Sequence, residues 1–293
     1  MNVLVTGGEG YIGKEICNMF GKYGITPIVI DTKLGIDLRQ ESLHAKMIKH
    51  NIKHVIHLAS YIDNPESIKD PWSYYDNNIR CTLQVLNALK EGDRIVFSSS
   101  AAVYGAPWDY KFRVYDSSEH SPKTPYAHSK SICERIIEDC CKAKGIDYVI
   151  LRYFNVAGNS NPSQKALIPT IIRCLKNNEP FSLFGIDWPT KDQTALRDFI
   201  HVEDVAMAHL KALSTPNVNK AFNIGSGCGY TIKEVIDTAE KITGKKLNVN
   251  FEPRRKGDIA GIYAITNHAE QELGFKAIKT LEEIVSSEWE RAK

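Results

Sequence analysis

The sequence predicts an α/β protein in which a doubly wound parallel sheet is followed by a smaller α+β domain. Three observations lead to this fold class. Short apolar runs alternate with amphipathic segments of helical period through the first half of the chain. A glycine-rich turn directly follows the first of these runs. The second half mixes strands and helices without regular alternation, which is typical of an α+β arrangement.

The predicted elements follow from these patterns in chain order. In the first half, strands are expected at 2–6, 26–31, 54–59, 94–99 and 147–153, and helices at 11–23, 40–50, 72–90 and 124–144. In the second half, helices are expected near 165–177, 203–214, 231–243 and 280–291, and strands near 181–184, 197–200, 220–224 and 247–251. We place the domains at residues 1–155 and 156–293, and we expect the segment 197–210 to return to the first domain.

The composition is that of an ordinary globular protein, with 293 residues of which 43% are hydrophobic and 25% are charged. The 37 Lys and Arg residues nearly balance the 35 Asp and Glu residues, and no basic run suggests a nucleic-acid surface. The seven cysteines form no C-x-x-C pair and the nine histidines show no metal-ligand spacing, so we expect free thiols in a reducing compartment and no metal site. We see no signal peptide and no apolar stretch of about 18 residues, and therefore expect a cytoplasmic protein without a membrane segment.

The glycine-rich turn, TGGEGYIG at residues 6–13, lies between the first predicted strand and the first predicted helix. Glycines at Gly7, Gly10 and Gly13 allow a tight turn, a close approach of backbone N–H groups to a pyrophosphate, and packing of the helix on the sheet. This pattern predicts a Rossmann-like dinucleotide site. Asp31 ends the second strand, where its carboxylate can accept ribose hydroxyls and repel a 2′-phosphate, which favours NAD over NADP. A plain turn and a purely structural aspartate are the alternatives.

A serine, a tyrosine and a lysine form the candidate catalytic group. Ser100 ends the fourth strand, and Tyr126 and Lys130 lie four residues apart at the start of a predicted helix, so they share one face. A free tyrosine has a pKa of about 10 and needs a nearby positive charge, from Lys130 and the nicotinamide of NAD+, to act as a base at neutral pH. Ser100 would orient the substrate hydroxyl or relay its proton. Chance surface chemistry is the alternative for an isolated Tyr-x-x-x-Lys pattern.

With these residues in place, the chain resembles UDP-glucose 4-epimerases of the extended short-chain dehydrogenase/reductase family. The resemblance runs through TGGEGYIG, HLAS, YYDNN, SSSAAVYG, TPYAHSK, LRYFNVAG, LFGIDWPTKDQTALRDFIHVEDVAMAH and RRKGD, in that order. It implies that the first domain holds NAD tightly and that the smaller domain holds the UDP part of the substrate. It also implies that Tyr126 takes the proton from the hydroxyl at sugar carbon 4 while NAD+ accepts the hydride. The 4-keto sugar then turns over and receives the hydride on its other face.

The resemblance also assigns contacts residue by residue, and it implies a homodimer built from the helices near 72–90 and 124–144. The cofactor contacts that it implies are Gly7, Gly10, Tyr11, Ile12, Gly13, Asp31, Thr32, Asp37, Leu38, Leu58, Ala59, Ser60, Asn77, Tyr126, Lys130 and Phe154. The nucleotide-sugar contacts are Ser100, Tyr126, Asn155, Leu167, Phe184, Arg197, Arg255 and Asp258. Among these, Arg197 and Arg255 have the chemistry to clamp a pyrophosphate by charge-assisted hydrogen bonds.

Some positions depart from the family pattern. Only five residues separate Asp31 from Asp37, too few for a crossover helix between parallel strands. We therefore expect that helix to be missing, the third strand to be absent or a stub around 35–38, and the adenine pocket to be more open. Ile62 stands where many relatives carry a lysine, and Lys165 and Ala166 replace an asparagine pair. Ile262 stands where relatives carry a residue that limits the pocket beside the sugar 2-substituent. Its bulk is intermediate, so the sequence does not decide whether N-acetylated sugars are accepted.

Several other functions share this pattern. A nucleotide-sugar 4,6-dehydratase needs an acid at the end of the fourth strand, where this chain has Ser100-Ala101-Ala102. A 4-epimerase of UDP-GlcNAc, UDP-glucuronate or a UDP-pentose requires few substitutions and is the nearest enzymatic alternative. A catalytically silent NAD-binding regulator should have lost Tyr126 or Lys130, and this chain keeps both.

Overall fold

The computed structural model describes residues 1–107, 111–159, 166–255 and 257–291. Its strands are β1 (Asn2–Thr6), β2 (Thr26–Ile30), β3 (His54–His57), β4 (Arg94–Ser100), β5 (Arg113–Val114), β6 (Asp147–Tyr153), β7 (Asn155–Ala157), β8 (Phe181–Phe184), β9 (Leu196–Arg197), β10 (Phe199–His201), β11 (Lys220–Ile224), β12 (Tyr230–Thr231), β13 (Val249–Glu252) and β14 (Gly261–Ala264). Its helices are α1 (Tyr11–Lys22), α2 (Leu43–Lys49), α3 (Asn64–Lys69), α4 (Pro71–Ala88), α5 (Pro125–Lys144), α6 (Leu167–Asn177), α7 (Val202–Ser214), α8 (Ile232–Thr243), α9 (Asn267–Leu273) and α10 (Leu281–Arg291). No helix within these described ranges has the length and apolar character needed to span a membrane.

The central sheet has six parallel strands in the order β2-β1-β3-β4-β6-β11. Its strands are rich in Val, Ile and Leu, and Val3, Leu4 and Val5 of β1 are fully buried, as expected when helices cover both faces. The strand order reverses at β1, which lies between β2 and β3. Open parallel sheets bind ligands in the crevice outside the carboxyl ends of the strands at such a point. The predicted doubly wound sheet is confirmed, and its crevice places the site.

Two separate apolar clusters, one on each face of the sheet, hold the helices in place. On one face, β1 packs with α1, α7 and α9 through a cluster that includes Ile16, Phe20, Val205 and Leu273. On the other face, the cluster contains residues of α2, α4 and α5: Leu43, Met47, Cys81, Val85, Cys133, Ile137 and Cys141. Because α5 belongs to the second cluster, the face of its first turn that carries Tyr126 is fixed relative to β4.

The smaller part of the molecule gathers short strands and three helices around a third apolar cluster. Helices α6, α8 and α10 share this cluster, with Ile171, Val235 and Ile284 among its buried residues. The strands form a four-stranded sheet, β12-β9-β14-β5, and the pairs β7–β10 and β8–β13. Although they come late in the chain, α7 and β11 lie with the large sheet. The division at residue 155 stays a prediction.

The predicted shortening between β2 and α2 is confirmed. A 3₁₀ turn, Thr32–Leu34, follows β2, and the residues between it and α2 form no strand. The sheet therefore ends at β2, which pairs only with β1 among the described residues. Pro27 lies in this outermost strand.

Candidate active site

The glycine-rich turn connects β1 to α1 and has no room for side chains at two of its positions. Gly7 has a φ of +75°, and a Cβ there would lie 2.9 Å from the backbone nitrogen of Ala59. A Cβ on Gly13 would lie 2.2 Å from the carbonyl oxygen of Gly7. Gly10, the residue before α1, offers no side chain to cap the first N–H groups of the helix. This arrangement leaves a helix N-terminus of the kind that binds phosphate groups.

Replacing Gly13 by alanine should therefore abolish measurable NAD binding, because the backbone of the turn must shift to admit the new methyl group. The matched control is Gly21→Ala in the same helix, where a Cβ would meet nothing within 4 Å. That control should bind NAD normally and gain about 0.5–1 kcal/mol of stability from helix propensity. Calorimetric titration of both variants with NAD checks the expectation, and normal binding by Gly13→Ala would contradict it.

Asp31 lies at the carboxyl end of β2, directly across the glycine-rich turn. Its carboxylate accepts hydrogen bonds from the backbone N–H groups of Glu9 at 3.0 Å and Lys33 at 2.9 Å. Thr32 follows and begins the 3₁₀ turn. The carboxylate is thus held where it can accept the hydroxyls of an adenosine ribose, and together with the glycine-rich turn it fits NAD. Asp31, Thr32 and the turn would hold the adenosine and pyrophosphate parts.

The remaining predicted cofactor residues lie around the same crevice. Tyr11 begins α1, and its hydroxyl donates a hydrogen bond to the carbonyl oxygen of Gly158. Ile12 packs against the first apolar cluster, and Leu38 is buried in the second. Leu58, Ala59 and Ser60 follow β3, Asn77 lies on α4, Phe154 follows β6, and Asp37 lies beyond the 3₁₀ turn. Ile62, at the position where many relatives carry a lysine, is 68% exposed.

The candidate catalytic residues meet at the carboxyl ends of β3 and β4. Thr124 caps α5 by accepting a hydrogen bond from the N–H of Ala127 at 3.3 Å, which fixes where Tyr126 enters the crevice. Tyr126 lies beside Ser100, whose hydroxyl acts to lower the pKa of the phenol. One helical turn further on, the ammonium of Lys130 donates to Ser60 Oγ at 2.9 Å and to the carbonyl oxygen of Ser98 at 2.8 Å. The structure therefore brings Tyr126, Ser100, Lys130 and Ser60 together.

Burial controls the acidity of the two central side chains. It raises the pKa of Tyr126, and the hydrogen bond with Ser100 acts in the opposite direction. Burial lowers the pKa of Lys130 to about 8. The lowered pKa expected from the sequence requires Lys130 and the positive nicotinamide of NAD+ together, and the nicotinamide belongs to the bound cofactor.

A second group of predicted residues lies on the smaller part of the molecule. The guanidinium of Arg255 lies 4.6 Å from the ring centroid of Phe184 and donates to Asp258 Oδ2 at 3.0 Å. Arg197 lies on β9 opposite Ile262 of β14. Burial lowers the pKa of Arg197, whereas the charge of Asp258 raises it. A partly buried guanidinium beside a second arginine is suited to a diphosphate.

Two more predicted residues, Asn155 and Leu167, lie on this side. Asn155 begins β7, and its backbone N–H donates to the carbonyl oxygen of Asp198 at 2.9 Å. Leu167 begins α6 and packs against the third apolar cluster. Lys165, the departure noted beside Ala166, lies outside the described residues.

Two buried polar groups beneath the site were missed by the sequence analysis. Glu134, one turn after Lys130, binds Arg152 of β6 through both carboxylate oxygens, with a shortest distance of 2.7 Å, and also accepts a hydrogen bond from Ser99. The hydroxyl of Tyr153 donates to Ser98 Oγ at 2.7 Å and lies 2.6 Å from His209 Nε2. For the first group, the sequence does contain a signal: Arg152 is a charged residue within the apolar run of β6.

His57 illustrates a core histidine without a metal. Its ring lies between the hydroxyls of Thr6 at 2.8 Å and Thr82 at 3.1 Å, and burial lowers its pKa to about 3, so the ring is neutral. Over the part of the chain that the structure describes, no group of three or more His, Cys, Asp or Glu residues could hold a metal ion.

Comparison with known proteins agrees with this geometry. Residues 3–225 match the NAD dependent epimerase/dehydratase family. A UDP-glucose 4-epimerase of Rhizobium meliloti (strain 1021) is 36% identical, with 98% of this chain and 96% of the relative covered. A UDP-glucose-4-epimerase structure from Stenotrophomonas maltophila with bound NAD and formylated UDP-arabinopyranose is 31% identical, with a TM-score of 0.91 over 99% of this chain and 97% of that one. The Bifidobacterium longum UDP-glucose 4-epimerase in complex with NAD+ and UDP is 31% identical, with a TM-score of 0.88 over 99% of this chain and 98% of that one. With Tyr126, Lys130 and the glycine-rich turn arranged as described, the chain belongs to the NAD-dependent epimerase/dehydratase family.

Proposed function

We propose that this chain is an NAD-dependent enzyme that interconverts UDP-glucose and UDP-galactose by inverting carbon 4 of the sugar. The observation that supports this most directly is the meeting of Tyr126 and Ser100 at the carboxyl end of β4, with Lys130 one helical turn away. The same chain carries a turn that fits a dinucleotide and two neighbouring arginines suited to a diphosphate. A nucleotide sugar held by both would present its ring to the phenol.

Each residue then has a distinct task. Bound NAD supplies a reversible acceptor of two electrons, so that the sugar is oxidised and reduced in turn with no net redox change. Tyr126 removes the proton from the carbon-4 hydroxyl and returns it, and Ser100 holds that hydroxyl by hydrogen bonding. Lys130 supplies the positive charge that favours the phenolate. Arg197 and Arg255 bind the diphosphate, and Phe184 packs on Arg255, which orients its guanidinium.

The direct test is incubation of purified protein with a panel of UDP-sugars and NAD, without added reductant, followed by chromatography. We expect UDP-glucose and UDP-galactose to reach the same equilibrium mixture from either side. UDP-GlcNAc, UDP-glucuronate and UDP-pentoses belong in the panel because they define the competing 4-epimerase functions. Absence of any UDP-glucose conversion would overturn the substrate assignment.

The same assay separates epimerisation from dehydration. A dehydratase product would differ from the substrate by one water in its mass spectrum. The end of β4 argues against that outcome, because Ser100 is followed by Ala101 and Ala102, and the Ser100 hydroxyl accepts a hydrogen bond from the N–H of Ala102 at 3.2 Å. No carboxylate follows Ser100 directly in the chain to act as the acid.

We also propose a homodimer formed through α4 and α5. Helices α4 and α5 share the second apolar cluster, yet large apolar side chains on them remain exposed: Trp72, Leu83 and Ile132. Exposed apolar side chains on paired helices are suited to contact with a second copy. Sedimentation velocity at micromolar concentration should give a dimer, and a monomer there would contradict the proposal.

A further inference from the structure

The segment 35–40, called here the adenine loop, replaces the missing crossover helix and third strand. It contains Asp37 and Leu38, which were expected to contact the adenine side of NAD. No strand pairs with it in the described ranges, and its backbone bond toward β2 is that of Ile36 N–H to the carbonyl oxygen of Asp31, at 3.2 Å, rather than a strand ladder. It lies instead against α4, because Leu38 is buried in the cluster that contains Cys81 and Val85.

Arg39 supplies the polar connection between this loop and α4. Its Nε and Nη2 donate to the two carboxylate oxygens of Asp37, at 3.1 Å and 2.7 Å, and its Nη1 donates to Asp76 Oδ2 at 3.4 Å. The backbone N–H of Arg39 also donates to Asp37 Oδ1 at 2.9 Å. About two turns after Asp76 on α4, Gln84 donates to the carbonyl oxygen of Arg39 at 3.3 Å. One guanidinium therefore joins two carboxylates, one on the loop and one on the helix.

We propose that Arg39 is a positioning residue for NAD, which fixes the adenine loop and the Asp37 carboxylate against α4 in place of sheet pairing. The inference rests on the proposed function in so far as NAD is the cofactor. Asp76 lies on α4, the helix that also carries Asn77, another expected cofactor contact, so the bridge connects the loop to that helix. The ligand is a dinucleotide, and the part of it affected is the adenosine half.

The physical reason lies in the cost of ordering a loop when a ligand binds. A loop that is free to move must be fixed at the moment of binding, and that cost reduces affinity. The planar guanidinium fork fixes the Asp37 carboxylate beforehand, and its hydrogen bond holds the pKa of Asp37 below its usual value, so the group stays ionised. Because all three side chains are partly exposed, the bridge contributes little to the stability of the fold itself. Cofactor affinity should therefore respond more than stability.

The experiment measures NAD and UDP affinity by calorimetry on full-length protein stripped of cofactor, together with its melting temperature. Arg39→Ala should weaken NAD binding about tenfold and leave UDP binding and the melting temperature close to wild type. Arg80→Ala is the matched control, because Arg80 also binds Asp76, at 3.0 Å, but does not reach the Asp37 carboxylate by hydrogen bond. NAD affinity should change less than about twofold in this control.

The outcomes separate the bridge from general effects of charge or folding. Equal losses in Arg39→Ala and Arg80→Ala, or full rescue by Arg39→Lys, would reduce the role to charge alone and overturn the proposal. Parallel loss of NAD affinity, UDP affinity and stability would also overturn it. If Arg39→Ala does not fold, Asp76→Asn removes the helix end of the bridge, and unchanged NAD affinity in that variant rejects the inference. Wild-type protein that binds NAD but converts no UDP-sugar would contradict the proposed function. The effect of Arg39→Ala on NAD affinity would still test the inference about Arg39.

Discussion

Replacing Tyr126 by phenylalanine should lower kcat by about 10²–10⁴-fold, because the change removes the group proposed to take the proton from the sugar. The ring is almost fully buried and its hydroxyl lies beside Ser100, so phenylalanine keeps the packing and loses the proton-transfer group. The measurement is the rate of UDP-galactose conversion at saturating substrate and NAD, followed by chromatography. The loss should fall on kcat rather than on KM.

The control for this prediction is Tyr23→Phe, since Tyr23 is exposed and follows α1 away from the crevice. It should retain wild-type kcat. Calorimetry should show that the Tyr126→Phe variant still binds UDP, which excludes misfolding as the cause. If the variant keeps a kcat within a few-fold of wild type, the mechanism is wrong. A silent NAD-binding regulator would give no conversion even in the wild type.

Replacing Arg152 by methionine should destabilise the fold by about 3–5 kcal/mol, because it leaves the buried carboxylate of Glu134 without its cation. Both side chains are almost fully buried, and Arg152 also donates to the hydroxyl of Tyr104 and to the carbonyl oxygen of Asp116, each at 2.8 Å. Urea denaturation followed by circular dichroism measures the change in the free energy of unfolding. This is the largest stability effect that we expect from a single substitution.

A double variant separates the ion pair from general packing. In Glu134→Met with Arg152→Met, the isolated charge is gone, so the protein should be more stable than Arg152→Met alone. The single variant should also lose activity, since Glu134 fixes α5 one turn after Lys130. A cost below about 1 kcal/mol for Arg152→Met would mean that Glu134 finds solvent or another partner, and the expectation would be wrong.

The sheet was predictable because its strands are short apolar runs separated by helical periods. The predicted bounds of β1, β4 and β6 agree with the structure to within one residue at each end, as do those of α5. The two-residue strands β5 and β12 were missed, because they are defined by pairing with distant segments rather than by any local pattern. The pairing of β11 with β6 could not be predicted either, because the pattern that predicts a strand does not identify the strand with which it pairs.

The site was predictable where its residues form local motifs. Tyr126 and Lys130 lie on one helix face, and Gly7, Gly10 and Gly13 share one turn, so spacing alone indicated their proximity. The contacts of Arg39 with Asp76 and of Tyr153 with His209 join segments far apart in the chain, and no local pattern signals them. The burial that raises the pKa of Tyr126 was not visible in the sequence, because it is a property of the folded chain.

The exposed border of the sheet at β2 has a consequence for behaviour in concentrated solution. Thr26 donates its N–H to Met1, and Ile30 accepts from Gly7, so the alternate residues Pro27 and Val29 turn their backbone groups outward. Proline has no N–H, which leaves Val29 as the outward donor within the strand. A second molecule approaching edge to edge finds too few backbone N–H donors on β2 to extend the sheet. Loss of the outer strand therefore does not promote aggregation through this edge.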